Sequence, residues 1–133
     1  MNKQQAYNAF WRQFGVLAFE ENSVPDDDTI QALIASGVAP SKYPYITYQV
    51  MTGDLDSTLT PSASIWDRSN SYEKADLLAN EIAETIAYMT PIKVTEGRMF
   101  IIAGSPFSQH MEDSDSAIKR NVLTLNVEFL ASY

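Results

Sequence analysis

The side chains able to do acid–base chemistry are few in this 133-residue chain, and their spacing matches no catalytic motif. There is one histidine, His110, and no cysteine, which excludes a thiolate nucleophile and a thiolate metal site. No serine lies in the Gly-x-Ser-x-Gly context of a hydrolase nucleophile. Because a nucleophile needs a neighbouring base, and His110 lies in a polar stretch, we interpret this histidine as an exposed loop residue.

Paired carboxylates are the remaining candidates for acid–base work, provided that the fold partly buries them. The pairs are Asp54 with Asp56 and Glu112 with Asp113. Glu81 and Glu84 are three residues apart, but no histidine completes the Glu-x-x-His pattern of a metal site between helices. The glycines are isolated, so there is no phosphate-binding loop. We therefore predict no catalytic residue, no metal ion and no cofactor.

The composition is typical of a globular protein, with 45% hydrophobic and 20% charged residues. We predict one domain over 1–133, long enough to bury about two-thirds of the surface that its unfolded chain exposes. The net charge of −8 and the pI near 4.4 argue against a surface that grips phosphates. The acidic surplus either serves solubility or lets a surface lie near nucleic acid without binding it. No stretch approaches the ~20 apolar residues of a membrane helix, so we predict no membrane contact.

Three helices are predicted, and two of them from the spacing of apolar side chains. Aromatic residues three and four positions apart predict a helix over 3–14, which Gly15 ends. The three aspartates at 26–28 precede a second helix and are interpreted as caps for its free amides; the spacing of a Ca²⁺ loop, the alternative, is absent. An apolar stripe predicts the longest helix over about 71–88. Its members are Ala75, Leu78, Ile82, Ile86 and Met89.

Strands are predicted where apolar residues alternate or run together. Segments 44–52 and 58–67 flank an acidic turn and form a candidate hairpin. Segment 97–104 is almost continuously apolar and predicts a central strand, and 122–129 alternates clearly. Between these two lies a long polar connection, 105–115, which we predict to be a functional loop because long loops in compact domains are often functional.

Two motifs, taken together with the order of elements, resemble a family of phage proteins. They are Phe-Gly-Val-Leu-Ala-Phe-Glu-Glu-Asn-Ser-Val-Pro at 14–25 and Tyr-Pro-Tyr-Ile-Thr-Tyr at 43–48. With the Asp-rich turn, the helix after Ser71 and the terminal strand, the chain resembles the tail terminator proteins of long-tailed bacteriophages, also called tail completion or neck terminator proteins. The resemblance implies an α+β fold: a largely antiparallel sheet of about four strands with helices packed on one face.

The resemblance also implies a function in virion assembly. Subunits of this family form a ring, typically a hexamer, at the head-proximal end of the tail tube. The ring ends tube polymerisation and provides the surface to which the head attaches. The expected partners are other copies of the chain, the major tail tube protein and head connector proteins, while DNA passes through without specific binding. The expected location is the virion, after synthesis in the bacterial cytoplasm. An acidic surface suits a ring that DNA crosses.

The family has no motif of site residues, so interface residues are expected in the two polar segments of this chain. They are Asp54, Asp56, Phe107, His110, Met111, Glu112, Asp113 and Asp115. Two other classes stay open. One is a neighbouring connector protein of the phage neck, and the other is a small enzyme or ligand-binding domain with a cleft beside the long loop.

Overall fold

The fold is α+β, with helices and one mixed, curled sheet. A computed structural model describes residues 2–49, 58–95 and 97–131. The helices are α1 (Lys3–Trp11, continued by a 3₁₀ turn at Arg12–Phe14), α2 (Asp27–Ala35) and α3 (Glu73–Tyr88). The strands are β1 (Leu17–Glu20), β2 (Tyr45–Tyr48), β3 (Thr58–Leu59), β4 (Ser62–Arg68), β5 (Ile92–Val94), β6 (Gly97–Glu112) and β7 (Ile118–Ala131). No helix in the described ranges is long and apolar enough to cross a membrane.

The first two helices begin at residues whose side chains accept a hydrogen bond from a free amide. Asn2 and Gln5 form a capping box at α1, with each side chain bonded to the other residue's backbone amide at 2.8 and 3.0 Å. Asp26 accepts from the Thr29 amide at 2.9 Å, which confirms the predicted capping function for this aspartate, whereas Asp27 and Asp28 lie in the first turn of α2. Helix α3 begins after Tyr72 with no such side-chain cap. The Glu73 amide instead donates to Ser71 Oγ at 3.4 Å.

The sheet has more strands than the sequence predicts. Its order is β1-β2-β4-β7-β6-β5, and β3 pairs with β7 off this path, so the expectation of about four strands is wrong. The strands pair antiparallel except for β1 and β2, which are parallel. Strand β1 lies in a segment that gave no clear period of two, and it is too short for alternation to stand out. The predicted pairing of β2 with β4 is confirmed, with Ile46 opposite Ile65.

The two faces of the sheet are covered differently. On the first face, α1 and α3 bury the main core, which includes Ile46, Ile65, Leu123 and the Ile82 side chain of α3. Helix α2 packs on the opposite face, against Leu17 and Tyr45, whose neighbours in sequence point into the main core. The expectation that all helices pack on one face is therefore wrong. The part of the second face formed by β4 to β7 is called the open face below.

The predicted loop at 105–115 is largely strand. Strand β6 continues to Glu112 and pairs with β7 along its length, apart from a register shift between Ala103 and Ser108. Across that shift, Ala103 pairs with Leu125 and Ser108 with Leu123, so four residues of β6 lie opposite Thr124 alone. The prediction failed because this irregularity, with Gly104 and Pro106 inside it, resembles a turn in the sequence.

Candidate functional site

A polar cluster forms where the far end of the β6–β7 hairpin passes under the start of α3. We call it the His110 cluster; its members are Tyr72, Asp76, Ser108, His110 and Asn121. Asn121 shares the inward side of β7 with Leu123 and lies directly opposite His110 of β6. The first turn of α3 then places Asp76 above both residues. The cluster thus adds polar contacts to the apolar packing between α3 and the two strands.

The contacts within the His110 cluster are close. The His110 ring is stacked on the Tyr72 ring, with centroids 3.7 Å apart and an angle of 7° between the planes. Its Nε2 lies 2.8 Å from Asp76 Oδ1. The same oxygen accepts a hydrogen bond from Asn121 Nδ2 at 2.8 Å, and Asn121 also donates to Ser108 Oγ at 3.2 Å. Asp76 is therefore the acceptor at the centre of the cluster.

The charge of Asp76 fixes which ring nitrogen carries a proton. Burial opposes ionisation of this carboxyl, but the hydrogen bonds from Asn121 and His110 outweigh it, so the pKa of Asp76 lies below its ordinary value. The carboxylate is ionised at neutral pH and only accepts hydrogen bonds. Nε2 of His110 must therefore carry the hydrogen that it shares with Asp76.

Two buried oxygens near the cluster have no hydrogen-bonding partner in the described part of the chain. They are Asn121 Oδ1 and Asp67 Oδ2. Both residues are almost fully buried. They lie on the same face of adjacent strands, because Ile65 of β4 pairs with Asn121 of β7, and Asp67, which pairs with Lys119, comes two positions after Ile65. No group of three or more histidine, aspartate or glutamate side chains within the described ranges is placed to hold a metal ion.

A cavity of about 360 Å³ opens beside the His110 cluster. It is lined by Tyr72, Glu112, Asp113, Ser116, Ile118 and Lys119. The Lys119 ammonium lies 5.6 Å from the centre of the Tyr72 ring, on which His110 is also stacked. The two acidic residues predicted as a carboxylate pair are thus at the cavity wall, but a lysine shares it with them.

The structure brings only some of the predicted interface residues together. His110 belongs to the cluster, and Glu112 and Asp113 line the cavity next to it. Met111 points to the open face, where its sulfur accepts from Arg120 Nη1 at 3.4 Å. Asp115 lies in the turn after β6 and pairs with Arg68 at 3.3 Å. Phe107 is half-buried and packs against the main core. Asp54 and Asp56 lie outside the described residues.

Sequence reasoning missed the partners that hold these side chains. Asp76 and Tyr72 lie outside the predicted apolar stripe of the long helix and looked like surface residues. Asn121 was detectable, because it falls two positions before Leu123 on the inward side of an alternating strand. A polar residue at such a position needs a buried partner, and that requirement points to a polar network.

The open face carries a second row of contacts that the sequence did not reveal. Residues paired across four strands form it: Tyr45, Trp66, Arg120 and Met111. The rings of Tyr45 and Trp66 are stacked at 6.4 Å, and the Arg120 guanidinium lies 4.6 Å from the centre of the Trp66 ring. Arg120 Nε also donates to Ser64 Oγ at 3.1 Å. Aromatic and arginine side chains held in this way are typical of protein contact surfaces.

Comparison with protein-family models gave no match, and comparison with curated proteins found none significantly similar to this chain. The geometry alone therefore decides what the site can do. In the His110 cluster, the imidazole face is covered by Tyr72 and its Nε2 is engaged by Asp76. Such an arrangement fixes the hairpin end to α3 and orders the side chains around it.

Proposed function

We propose that this chain is a structural subunit of a long-tailed phage that caps the head-proximal end of the tail tube as a ring. The cap ends tube polymerisation and provides the surface for head attachment. The chain acts by binding other proteins, without catalysis, cofactor or metal. Its partners are further copies of itself, the tail tube protein and a head connector protein.

The observation that carries this proposal is the anchoring of the β6–β7 hairpin end to α3. Tyr72 and Asp76 of α3 hold His110 by stacking and by a 2.8 Å hydrogen bond. The side chains next to it, Met111 and Glu112, are exposed on a support that is already ordered. Pre-ordered surfaces favour protein association because less conformational entropy is lost on binding.

The arrangement of the two motifs behind the family resemblance also supports the proposal. Strand β1 comes from the first motif and β2 from the second, and the two pair in parallel with Leu17 opposite Tyr45. Phe19 and Tyr45 have ring centroids 6.5 Å apart. Segments that are distant in sequence thus form one structural unit. The two motifs on which the resemblance rests are therefore in contact with each other in the folded chain.

Tail length in lysates made without this protein tests the proposal. We expect overlong tails of variable length, measured by electron microscopy, and a return to uniform length when the wild-type chain is supplied from a plasmid. A variant with alanine at Tyr72 and at His110 removes the anchor, and its circular dichroism spectrum controls for folding. Tails of normal length that lack heads would assign the chain to the neighbouring neck connectors instead. Normal tails joined to heads would contradict both assignments.

A further inference from the structure

Exposed apolar side chains are concentrated on two opposite surfaces of the molecule. Seven large apolar side chains in the described ranges are exposed, and five of them lie on these two surfaces. Leu77 and Tyr88 are 63% and 88% exposed on the outer side of α3. Ile102, Met111 and Leu130 are exposed on the open face of the sheet. Apolar side chains spread along these two surfaces would be removed from water if another protein covered them.

The same two surfaces carry opposite charge. The outer side of α3 carries three carboxylates and one lysine, Glu73, Glu81, Glu84 and Lys74, while Asp76 belongs to the His110 cluster. On the open face, the strand register places four cationic side chains on the side of the sheet that points away from the main core: Arg68, Lys93, Arg98 and Arg120. Among the described strand residues on that side, Glu128 carries a carboxylate. In the adjoining turn, Asp115 pairs with Arg68. A chain with a net charge of −8 thus has a sheet face on which cations predominate.

Most of these charges are available to a partner. Within the described residues, no ion pair engages Lys93 or Arg98 of the open face, or Glu81 or Glu84 of α3. Lys93 pairs with Arg98 across β5 and β6, so two positive charges lie side by side. Like charges placed opposite each other in a sheet are destabilising, and a neighbouring acidic surface would relieve that repulsion.

We infer that the outer side of α3 in one copy of this chain docks on the open face of the next copy. Glu81 and Glu84 then meet Lys93 and Arg98, and the apolar residues of the two surfaces are buried between them. The two surfaces differ and lie on opposite sides of the sheet, so the contact is heterologous and repeats from copy to copy. This inference rests on the proposed ring, since a heterologous contact closes a ring when its rotation is suitable.

Charge reversal on either surface tests the contact. One variant carries Glu81→Lys and Glu84→Lys, and the other carries Lys93→Glu and Arg98→Glu. We expect each alone to associate about tenfold or more weakly than wild type in low salt, because the contact then joins like charges. An equimolar mixture restores association, since each reversed surface meets an opposite charge on the other variant. Sedimentation velocity gives the assembly state, and circular dichroism with thermal melting confirms folding.

Matched controls separate surface position from net charge and from lost apolar area. Glu21→Lys with Asn22→Lys adds three positive charges in the exposed turn after β1, away from both surfaces, and it should associate like wild type. Leu77→Ser should weaken association, whereas Val24→Ser, at another exposed apolar residue, should not.

Unaltered association of both reversed variants, or a mixture that fails to assemble, overturns the contact. A wild-type chain that stays monomeric in low salt at about 1 mM also overturns it. Neither result affects the tail-length test, so failure of the contact is distinct from failure of the proposed function.

Discussion

Gly104 of β6 lies so close to Thr124 of β7 that a β-carbon at position 104 would be 2.7 Å from Thr124 Cγ2 and 2.9 Å from its carbonyl oxygen. Real β-carbons do not approach other atoms so closely. The contact occurs inside the register shift of the β6–β7 hairpin, where Thr124 faces four residues. There is thus no room for a side chain at position 104. Glycine at this position lets β6 pass close to β7 as the hairpin runs toward α3.

Replacing Gly104 by alanine should destabilise the protein by about 1–3 kcal/mol, because the new methyl group displaces the strand or its neighbour. Chemical denaturation measures the change. Gly104→Ala should cost less stability when residue 124 is already alanine, because the removal of Cγ2 leaves only the contacts with the backbone and Cβ of residue 124. The Gly104→Ala, Thr124→Ala double variant is therefore compared with Thr124→Ala alone. An alanine variant as stable as wild type would show that the hairpin separates at this point.

Replacing Asp76 by asparagine should lower stability by about 1 kcal/mol at neutral pH, because the charged acceptor of His110 and Asn121 becomes neutral. The pKa of Asp76 is depressed in the folded state, so its contribution is present above the ordinary aspartate pKa of about 4 and is lost as the pH falls through the folded value. The difference between wild type and variant should therefore shrink in acid. Denaturation curves from pH 7 to pH 3 measure it, and a pH-independent difference would contradict the assignment.

Replacing Tyr7 by phenylalanine should leave stability unchanged at pH 7 or raise it by up to about 1 kcal/mol, because the buried hydroxyl has no partner within the described residues. Burial raises the pKa of Tyr7 to about 12, although the nearby Trp11 partly offsets this effect. Since an unfolded tyrosine ionises near a pH of about 10, wild type loses stability as the pH rises from there through the folded value. The variant should lose less, as measured by denaturation at pH 7 and pH 11. A large loss at pH 7 would reveal a hydrogen bond to the hydroxyl.

The acidic side chains at the β6–β7 hairpin tip, together with Asp54 and Asp56 outside the described residues, should ease the passage of DNA if they face the lumen of a ring. Neutralising Asp54, Asp56, Glu112, Asp113 and Asp115 to asparagine or glutamine should preserve folding, because exposed charges contribute little to stability. Tails should still be capped, but DNA should transit more slowly, since carboxylates repel phosphates within a Debye length of roughly 8–10 Å. DNA release from virions, timed at low and high salt, measures this. Equal rates at low salt would place these charges away from the lumen.

The elements with strong periodicity were predictable from the sequence, and those defined by long-range pairing were not. The stripe containing Ile82 predicted α3, and the aspartates before Thr29 predicted the start of α2. By contrast, β1 is four residues long and becomes a strand only because β2 pairs with it. The second half of β6 is polar because much of it is exposed, so its pairing with β7 left no apolar alternation to detect.

The candidate site was predictable only in part, for a similar reason. His110, Glu112 and Asp113 stood out as a polar run, and the structure does gather them at one end of the hairpin. Their partners on α3 come from a segment about 35 residues earlier, and only the sheet register decides which helix side chain meets which strand residue.

The position of β7 has a consequence for how the chain is made on the ribosome. This strand pairs with β3, β4 and β6, yet it follows all of them in sequence. Until residues 118–131 have left the ribosome, the strands on its two sides have no common neighbour, and each exposes backbone groups that the last strand will satisfy. We therefore expect the nascent chain to lack a continuous sheet, and the edges of β4 and β6 that pair with β7 to stay unpaired, until this last strand has been made.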